Sequence, residues 1–185
     1  MNIQENINKA HQIATEHGFH DEKRSNEHWL MLVISEICEL MEAHRKDHWP
    51  TSDCGRESFE SREYVHPDFN ERYDAYVKGT IGEELADICI RIFDFMGETG
   101  ITEDDMQNCI VKFDNFPNDN KTFTEQAFGL VNIITLYVTK GAIICDVALQ
   151  CCKYWANKFC IDLDWHINTK MEYNRNRPKL HGKMY

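Results

Sequence analysis

Two pairs of acidic residues occupy positions that an ordinary amphipathic helix would fill with apolar side chains. Glu36 and Glu39 stand three residues apart in one strongly periodic segment, and Glu84 and Asp87 have the same spacing in another. With about 100° of rotation per residue, Glu36 and Glu84 point inward beside the apolar stripe, and Glu39 and Asp87 lie at its edge. The two pairs meet if the two helices pack antiparallel.

Four carboxylates that share a half-buried site need either protons or a compensating positive charge. Loss of hydration costs each carboxylate several kcal/mol, and repulsion between like charges adds to that cost. Mg²⁺ meets this need because it binds a few carboxylate oxygens and keeps positions open for water and phosphate. The residues therefore predict a magnesium site, with Mn²⁺ as an alternative ion.

A solvated rim of charges and a di-iron bundle would also place acids on helices. The rim accounts readily for one pair, but less readily for two pairs that both lie against an apolar stripe. A di-iron bundle needs Glu-x-x-His pairs on two helices. The one such spacing runs from Glu63 to His66, beside Pro67, in a stretch that looks like a loop.

The periodicity of apolar residues predicts an all-α protein that forms a single domain over residues 1–185. The expected helices cover about 3–17, 27–45, 71–95, 124–137, 143–159 and 164–174. Pro50, Gly55 and Pro67 predict an irregular insert at about 50–75. Gly97 and Gly100 are expected to end the third helix, and Pro178 stops the last one.

Composition excludes several classes of protein. The net charge of −11 argues against general duplex binding, which needs a broad basic surface. The chain has no apolar run of membrane-spanning length, no signal-peptide core, no CxxC pair and no P-loop motif. We expect a cytoplasmic protein in a reducing setting, with no membrane partner and no duplex nucleic acid partner.

The acidic motifs and their flanks resemble the MazG-like branch of the all-α NTP pyrophosphatase superfamily. The motifs are Glu36-Ile37-Cys38-Glu39 and Glu84-Leu85-Ala86-Asp87, within LMLVISEICELMEAHRK and GEELADICIRIFD, and the tail KMEYNRNRPKLHGKMY is also similar. The resemblance covers roughly residues 18–48, 80–97 and 166–185. The sequence departs from the family pattern in two places: the insert lengthens the usual gap between the motifs, and residues 101–162 separate the second motif from the tail. These departures bear on substrate choice and oligomer geometry rather than on the metal site.

The resemblance implies a helical bundle of the all-α NTP pyrophosphatase type. It also implies Mg²⁺-dependent hydrolysis of an NTP or dNTP between its α- and β-phosphates, giving a monophosphate and pyrophosphate, by a homodimer or homotetramer. Glu36, Glu39, Glu84 and Asp87 would hold the metal, and Glu39 is the candidate to orient or deprotonate the attacking water. A non-catalytic helical interaction module and a phosphoribosyl-nucleotide pyrophosphatase remain alternatives.

The tail at 166–185 is basic although the net charge of the chain is −11, since this segment holds five Lys or Arg residues and one acid. Lys170 and Asn174 share a helical face and Arg177 follows it, so these donors suit a triphosphate, although a solvated tail would have the same composition. The resemblance favours phosphate contacts by all three, and less firmly by Lys183.

For contacts with the nucleotide base, His28 and Trp29 are the candidates, because the loop before them leads into the helix that carries Glu36 and Glu39. Core packing is the commoner role for such a tryptophan.

Overall fold

The regular structure of the described residues is entirely helical. The computed structural model describes residues 1–48, 54–61, 68–108, 116–136, 138–182 and 184. The helices are α1 (Ile3–Glu16), α2 (Asn26–Arg45), α3 (Cys54–Ser61), α4 (Phe69–Tyr76), α5 (Ile81–Thr99), α6 (Glu103–Gln107), α7 (Phe123–Leu136), α8 (Gly141–Lys158), α9 (Leu163–Arg175) and a short 3-10 helix (Lys179–Gly182). The prediction of an all-α fold is confirmed.

Helix α5 is the centre of the fold. It packs against α1, α2, α8 and α9, and Leu85, Ile88 and Ile92 are completely buried. Because partners cover α5 on several sides, Glu83, Glu84 and Asp94 on this helix are buried against neighbouring helices. None of the described helices combines the length and the apolar character that crossing a bilayer requires.

Helices α2 and α5 pack against each other and run antiparallel, which is the condition under which the two acidic pairs meet. Just after the end of α2, the carbonyl of His48 accepts a 3.1 Å hydrogen bond from the amide of Ile81, the first residue of α5. Glu36, which precedes His48 in the chain, pairs with Arg91, which follows Ile81. The two helices therefore run in opposite directions. Ser25 caps α2 by accepting from the His28 amide. This register brings the two acidic motifs to the same level.

The helix expected at 71–95 is in fact two helices, and that prediction was wrong. The chain leaves α4 and turns at Gly79, whose φ of 74° is in the left-handed region that glycine adopts readily. Thr80 then caps α5 by accepting from the Glu83 amide. Gly97 lies within α5 rather than at its end, and Gly100, with φ of 71°, is the residue that terminates it.

The insert also differs from the expectation. Residues 54–61 and 69–76 form α3 and α4, so these parts are helical rather than irregular. Residues 49–53 and 62–67, including the Glu63–His66 spacing, lie outside the described residues. The short helix α6 was not predicted either, although Thr102 and Asp105 form a capping box at its start.

Two glycines let neighbouring helices approach α5 closely. A Cβ atom at Gly82 would lie 2.4 Å from ring atoms of His166 on α9, and one at Gly97 would lie 2.5 Å from His11 Cβ on α1. A glycine in a helix costs about 1 kcal/mol relative to alanine. Because Gly82 and Gly97 have no side chains, α9 and α1 can pack closely against α5 at these two positions.

Candidate functional site

A cavity of about 370 Å³ opens where α1, α2, α5 and α9 meet. Its walls carry six carboxylates, those of Glu36, Glu39, Glu83, Glu84, Asp87 and Asp94. They also carry four cations, Lys78, Arg91, Lys170 and Arg177. Both motifs and the start of the predicted basic tail therefore face one space, which is large enough for a small-molecule ligand.

Three of the four predicted metal-binding carboxylates converge in this cavity. One oxygen each from Glu36, Glu39 and Glu84 lies within 4.8 Å of the others. Glu36 and Glu84 are buried, at 5% and 6% exposure, while Glu39 is exposed. Oε2 of Glu84 is buried and has no hydrogen-bond partner among the described residues. An orphaned buried oxygen is costly, which makes it a candidate ligand atom.

Burial and crowding favour the protonated forms of the two buried acids. Burial raises the pKa of Glu84 to about 9, and the nearby Asp87 and Glu83 carboxylates add to the effect. Burial, with a further contribution from Asp87, also raises the pKa of Glu36, although the Nε of Arg91 lies 3.0 Å from its Oε1 and opposes the shift. Without a metal, Glu84 keeps its proton at neutral pH.

Asp87 is held by a cation instead of pointing at the other three acids. Nζ of Lys170 lies 2.7 Å from Asp87 Oδ2 and 2.5 Å from Glu83 Oε1. Burial alone would lower the pKa of Lys170, but Asp87 and Glu83 outweigh it and hold the pKa above its usual range. The predicted metal ligand Asp87 and the predicted phosphate donor Lys170 are thus bound to each other in this structure.

Glu83 is a site residue that was not predicted from the sequence. It is buried, and it accepts hydrogen bonds from Tyr73 Oη at 3.1 Å and from the amide of Gly79 as well as from Lys170. Its position four residues before Asp87, on the same helical face, was the available signal. Its role is to fix Lys170 beside the acidic cluster.

The other predicted phosphate donors also lie on the cavity wall. Asn174 is buried, and its Oδ1 has no hydrogen-bond partner in the described part of the chain. Arg177 is half-buried, donates to the His181 carbonyl at 3.2 Å and stacks over Tyr173 at 5.7 Å. Lys183 falls outside the described residues.

His181 lines the same cavity and was not predicted. Burial, together with the nearby Arg177, lowers the pKa of His181 to about 3, so the ring is neutral at physiological pH. Its Nε2 is buried and finds no hydrogen-bond partner within the described ranges. A neutral imidazole beside Arg177 adds a hydrogen-bonding group without adding charge.

The two residues predicted to contact the base do not line this cavity. His28 and Trp29 face a smaller adjacent cavity of about 180 Å³, and Phe19 borders both spaces. Trp29 is only 4% exposed, and its ring lies 4.8 Å from that of His20. Its packing agrees with a core role rather than with stacking on a base.

The donor chemistry of the acidic cluster fits a hard divalent cation. Glu36, Glu39 and Glu84 offer only oxygen atoms, one of them orphaned, and the cluster opens toward a cavity that admits water. Asp87 is adjacent and would be a fourth ligand once free of Lys170. These residues are the ones in the described structure that could hold Mg²⁺. Comparison of the chain with protein-family models, with curated proteins and with solved structures finds no match in any of the three.

The raised pKa of Glu84 predicts that the metal-free protein loses stability as pH rises. The folded state holds a proton up to about pH 9 that the unfolded chain releases near its ordinary pKa of 4.5. The contribution of this proton to the free energy of unfolding is therefore fully present below pH 4.5. It is lost as the pH rises from 4.5 to about 9, at up to about 1.4 kcal/mol per pH unit. Urea unfolding in EDTA at several pH values measures this slope.

Glu84→Gln should remove most of that slope, since glutamine cannot ionise. Glu42→Gln is the matched control, because Glu42 is exposed on α2 and pairs with surface cations. Parallel curves of stability against pH for the wild type and Glu84→Gln would contradict the buried, protonated state of Glu84.

Proposed function

We propose that the protein is a Mg²⁺-dependent nucleoside triphosphate pyrophosphohydrolase. The reaction would cleave an NTP or dNTP between its α- and β-phosphates and release a monophosphate and pyrophosphate. One observation carries the proposal: the convergent oxygens of Glu36, Glu39 and Glu84 share a cavity with Lys170, Asn174 and Arg177. A triphosphate needs both a cation site and hydrogen-bond donors, because its charge must be neutralised on more than one side.

The chain's own residues divide into holding and reacting groups. Buried Glu36 and Glu84 would hold the ion, because their side chains are fixed by packing on α2 and α5. Mg²⁺, when bound, supplies a charge that neutralises phosphate oxygens and acidifies water. Glu39 belongs to the same cluster but is exposed to solvent, so it would orient a water molecule and accept its proton.

Lys170 is placed to exchange partners when a substrate binds. Its ammonium is 2.7 Å from Asp87, and both residues line the cavity that would receive the phosphates. A phosphate oxygen can take the place of the Asp87 carboxylate on Lys170, and Asp87 then becomes available to the metal. In the absence of ligand, the single positive charge of Lys170 is shared between Asp87 and Glu83.

The remainder of the cavity suits the phosphate chain and the uncharged part of a nucleotide. Arg177, which follows the end of α9, can bind a phosphate through two N–H groups. Asn174 lies one helical turn after Lys170 on α9. The cavity lining also includes the apolar side chains of Ala10, Ile13 and Phe19. We therefore expect the base or sugar to lie against α1 and the phosphates to lie between α5 and α9.

A substrate panel tests the proposal. Standard and modified NTPs and dNTPs, with a phosphoribosyl nucleotide included, are incubated with protein and Mg²⁺, and pyrophosphate is measured. If pyrophosphate is released from a triphosphate and EDTA stops this release, the result supports the proposal. If pyrophosphate is released only from the phosphoribosyl nucleotide, the result supports a phosphoribosyl-nucleotide pyrophosphatase. Absence of pyrophosphate from every compound would leave the non-catalytic interaction module.

Arg177→Ala is expected to raise KM by about tenfold or more, since an Arg–phosphate contact is a strong charge-assisted hydrogen bond. Arg175→Ala is the matched control, because Arg175 lies two residues earlier and pairs with Glu172 on the exposed face of α9. Steady-state kinetics of both variants, with circular dichroism as a check on folding, make the comparison. Equal KM values would return the tail to a solvating role.

We also expect a dimer or a tetramer. Phe128 and Leu136 on α7 are 67% and 76% exposed, and Met31 on the neighbouring α2 is 58% exposed. Apolar side chains so exposed on contacting helices favour burial against a second copy of the chain. Light scattering at micromolar concentration should give a mass of two or four chains, and Phe128→Ser should shift it downward. A monomeric wild type that is fully active would contradict this expectation.

A further inference from the structure

A second cluster of metal-ligating side chains lies outside the acidic cluster. It joins His11 on α1, His20 in the turn before α2 and Asp94 on α5. Nδ1 of His11 lies 3.1 Å, and Nε2 of His20 lies 2.8 Å, from the same oxygen, Asp94 Oδ1. One ligand atom from each residue falls within 4.8 Å of the other two. Two imidazoles and one carboxylate, from three separate elements, thus converge on one point.

The surrounding packing fixes this cluster in place. The His20 ring lies between the ring of His11, at 4.5 Å, and that of Trp29, at 4.8 Å. The side chain of His20 is nine-tenths buried, and Asp94 is only 4% exposed. Gly97 provides the space for His11, because a Cβ there would lie 2.5 Å from His11 Cβ. The donor atoms therefore have few alternative positions.

The contacts around His20 resemble those of a metal-bound histidine. While Nε2 faces Asp94, the opposite ring nitrogen, Nδ1, lies 3.0 Å from Glu98 Oε2 without the alignment of a hydrogen bond. Histidines that bind metals commonly donate the N–H of the other ring nitrogen to a carboxylate. Glu98 lies within reach of Nδ1 and would accept such a bond once its carboxylate turns into line.

The distances also suit a metal ion. Neighbouring donors bound at about 2.1 Å lie about 3.0–3.4 Å apart in octahedral or tetrahedral geometry. The separations of 3.1 Å and 2.8 Å from Asp94 Oδ1 are close to this range. The three donor atoms therefore already lie close to the spacing that a single bound ion needs.

We propose that His11, His20 and Asp94 form a separate site for one divalent transition-metal ion of the zinc class. Two nitrogens and one oxygen suit such borderline ions better than they suit Mg²⁺, which prefers oxygen alone. Asp94 lies seven residues after Asp87 along α5, a rise of about 10 Å, so the two sites are distinct. An ion here would connect α1 and the turn at His20 to α5, and the proposal holds whether or not the protein hydrolyses nucleotides.

Zinc binding to the untagged, reduced and EDTA-stripped protein tests the proposal. Calorimetry is carried out with Zn²⁺ alone on the wild type and on Glu36→Gln, in which the acidic cluster is weakened. One tight site should remain in Glu36→Gln. His11→Gln and His20→Gln should each weaken that site by more than about 100-fold, since loss of even an outer partner of a ligand costs 10–100-fold. His44→Gln, a histidine on α2 that packs on Phe123, is the control and should bind normally.

Two further readouts make the result decisive. Thermal melting should show stabilisation by Zn²⁺ in the wild type and in His44→Gln, but not in His11→Gln, because an ion that binds only the folded state stabilises it. His11 is partly exposed, so its variant is the one expected to fold even if His20→Gln does not. With Co²⁺ as the probe, visible bands should appear without thiolate charge transfer, although Cys38 and Cys160 are exposed thiols. Absence of Zn²⁺ binding, unchanged binding in His11→Gln, or a thiolate band would overturn the proposal.

Discussion

Glu36→Gln and Asp87→Asn are each expected to lower pyrophosphate release by about a thousandfold or more while the fold is retained. That loss corresponds to about 4 kcal/mol of transition-state stabilisation. Each change keeps the size of the side chain but removes an anionic oxygen that the metal would use. Pyrophosphate release at high Mg²⁺ concentration, beside circular dichroism of the same samples, provides the measurement.

Glu42→Gln is the matched control for both variants. Glu42 is an exposed acid on the same helix as Glu36, and it pairs with Arg45 and Lys46 at the surface. Its activity should stay close to that of the wild type. Near-normal turnover by both Glu36→Gln and Asp87→Asn would show that the acidic cluster is not a metal site.

The structure changes the expected effect of these variants on stability. The sequence alone predicts that neutralising Glu36 or Asp87 relieves repulsion and stabilises the metal-free protein. In the structure, however, Glu36 pairs with Arg91 and Asp87 pairs with Lys170, so each amide would leave a cation with a weaker partner. A gain in stability is instead expected for Glu84→Gln at neutral pH, because the amide does not need the proton that Glu84, with its raised pKa, takes up on folding.

Lys170→Met should destabilise the metal-free protein by about 3–5 kcal/mol, the usual cost of removing one partner from a buried ion pair. The change would leave Glu83 and Asp87 without the ammonium that lies 2.5 Å and 2.7 Å from them. Mg²⁺ should restore part of the loss, since it supplies another positive charge at the same place. Urea unfolding with and without Mg²⁺ measures both effects.

Lys78→Met serves as the control for this prediction. Lys78 borders the same cavity but is more than half exposed and pairs with Asp74 near the surface. Its loss should cost less than about 1 kcal/mol, as for other surface ion pairs. Equal destabilisation by the two lysine variants would mean that Lys170 contributes no more than a surface charge.

Periodicity predicted the parts of the site that depend on one helix at a time. The 3.6-residue repeat placed Glu36 inward and Glu39 at the edge of α2, because both directions follow from the apolar stripe of that helix alone. Their matched apolar stripes also indicated that α2 and α5 pack against each other, but the stripes did not determine that the two helices run antiparallel. The same reasoning failed at Gly79, since the apolar pattern continues through the turn, although Gly79 followed by Thr80 and Glu83 is a sequence signal for a helix end and a new N-cap.

Contacts between distant segments could not be read from the sequence. The family resemblance assigned Lys170 to phosphate and Asp87 to the metal, and neither assignment indicated that the two residues contact each other. Their contact depends on how α9 crosses α5, and that crossing depends on the space left by Gly82. For the same reason the convergence of His11 and His20 on Asp94 had no signal in the chain, where these residues are 9 and 74 positions apart.

The products of the reaction, followed by phosphorus NMR, test the proposed pyrophosphohydrolase activity most directly. A triphosphate that proves to be a substrate is incubated with Mg²⁺ and either the wild type or Glu36→Gln. We expect the wild type to form monophosphate and pyrophosphate in equal amounts, and EDTA or the substitution to stop the formation of both. Formation of diphosphate and orthophosphate, or turnover that survives both EDTA and Glu36→Gln, would contradict the proposed reaction and its metal site.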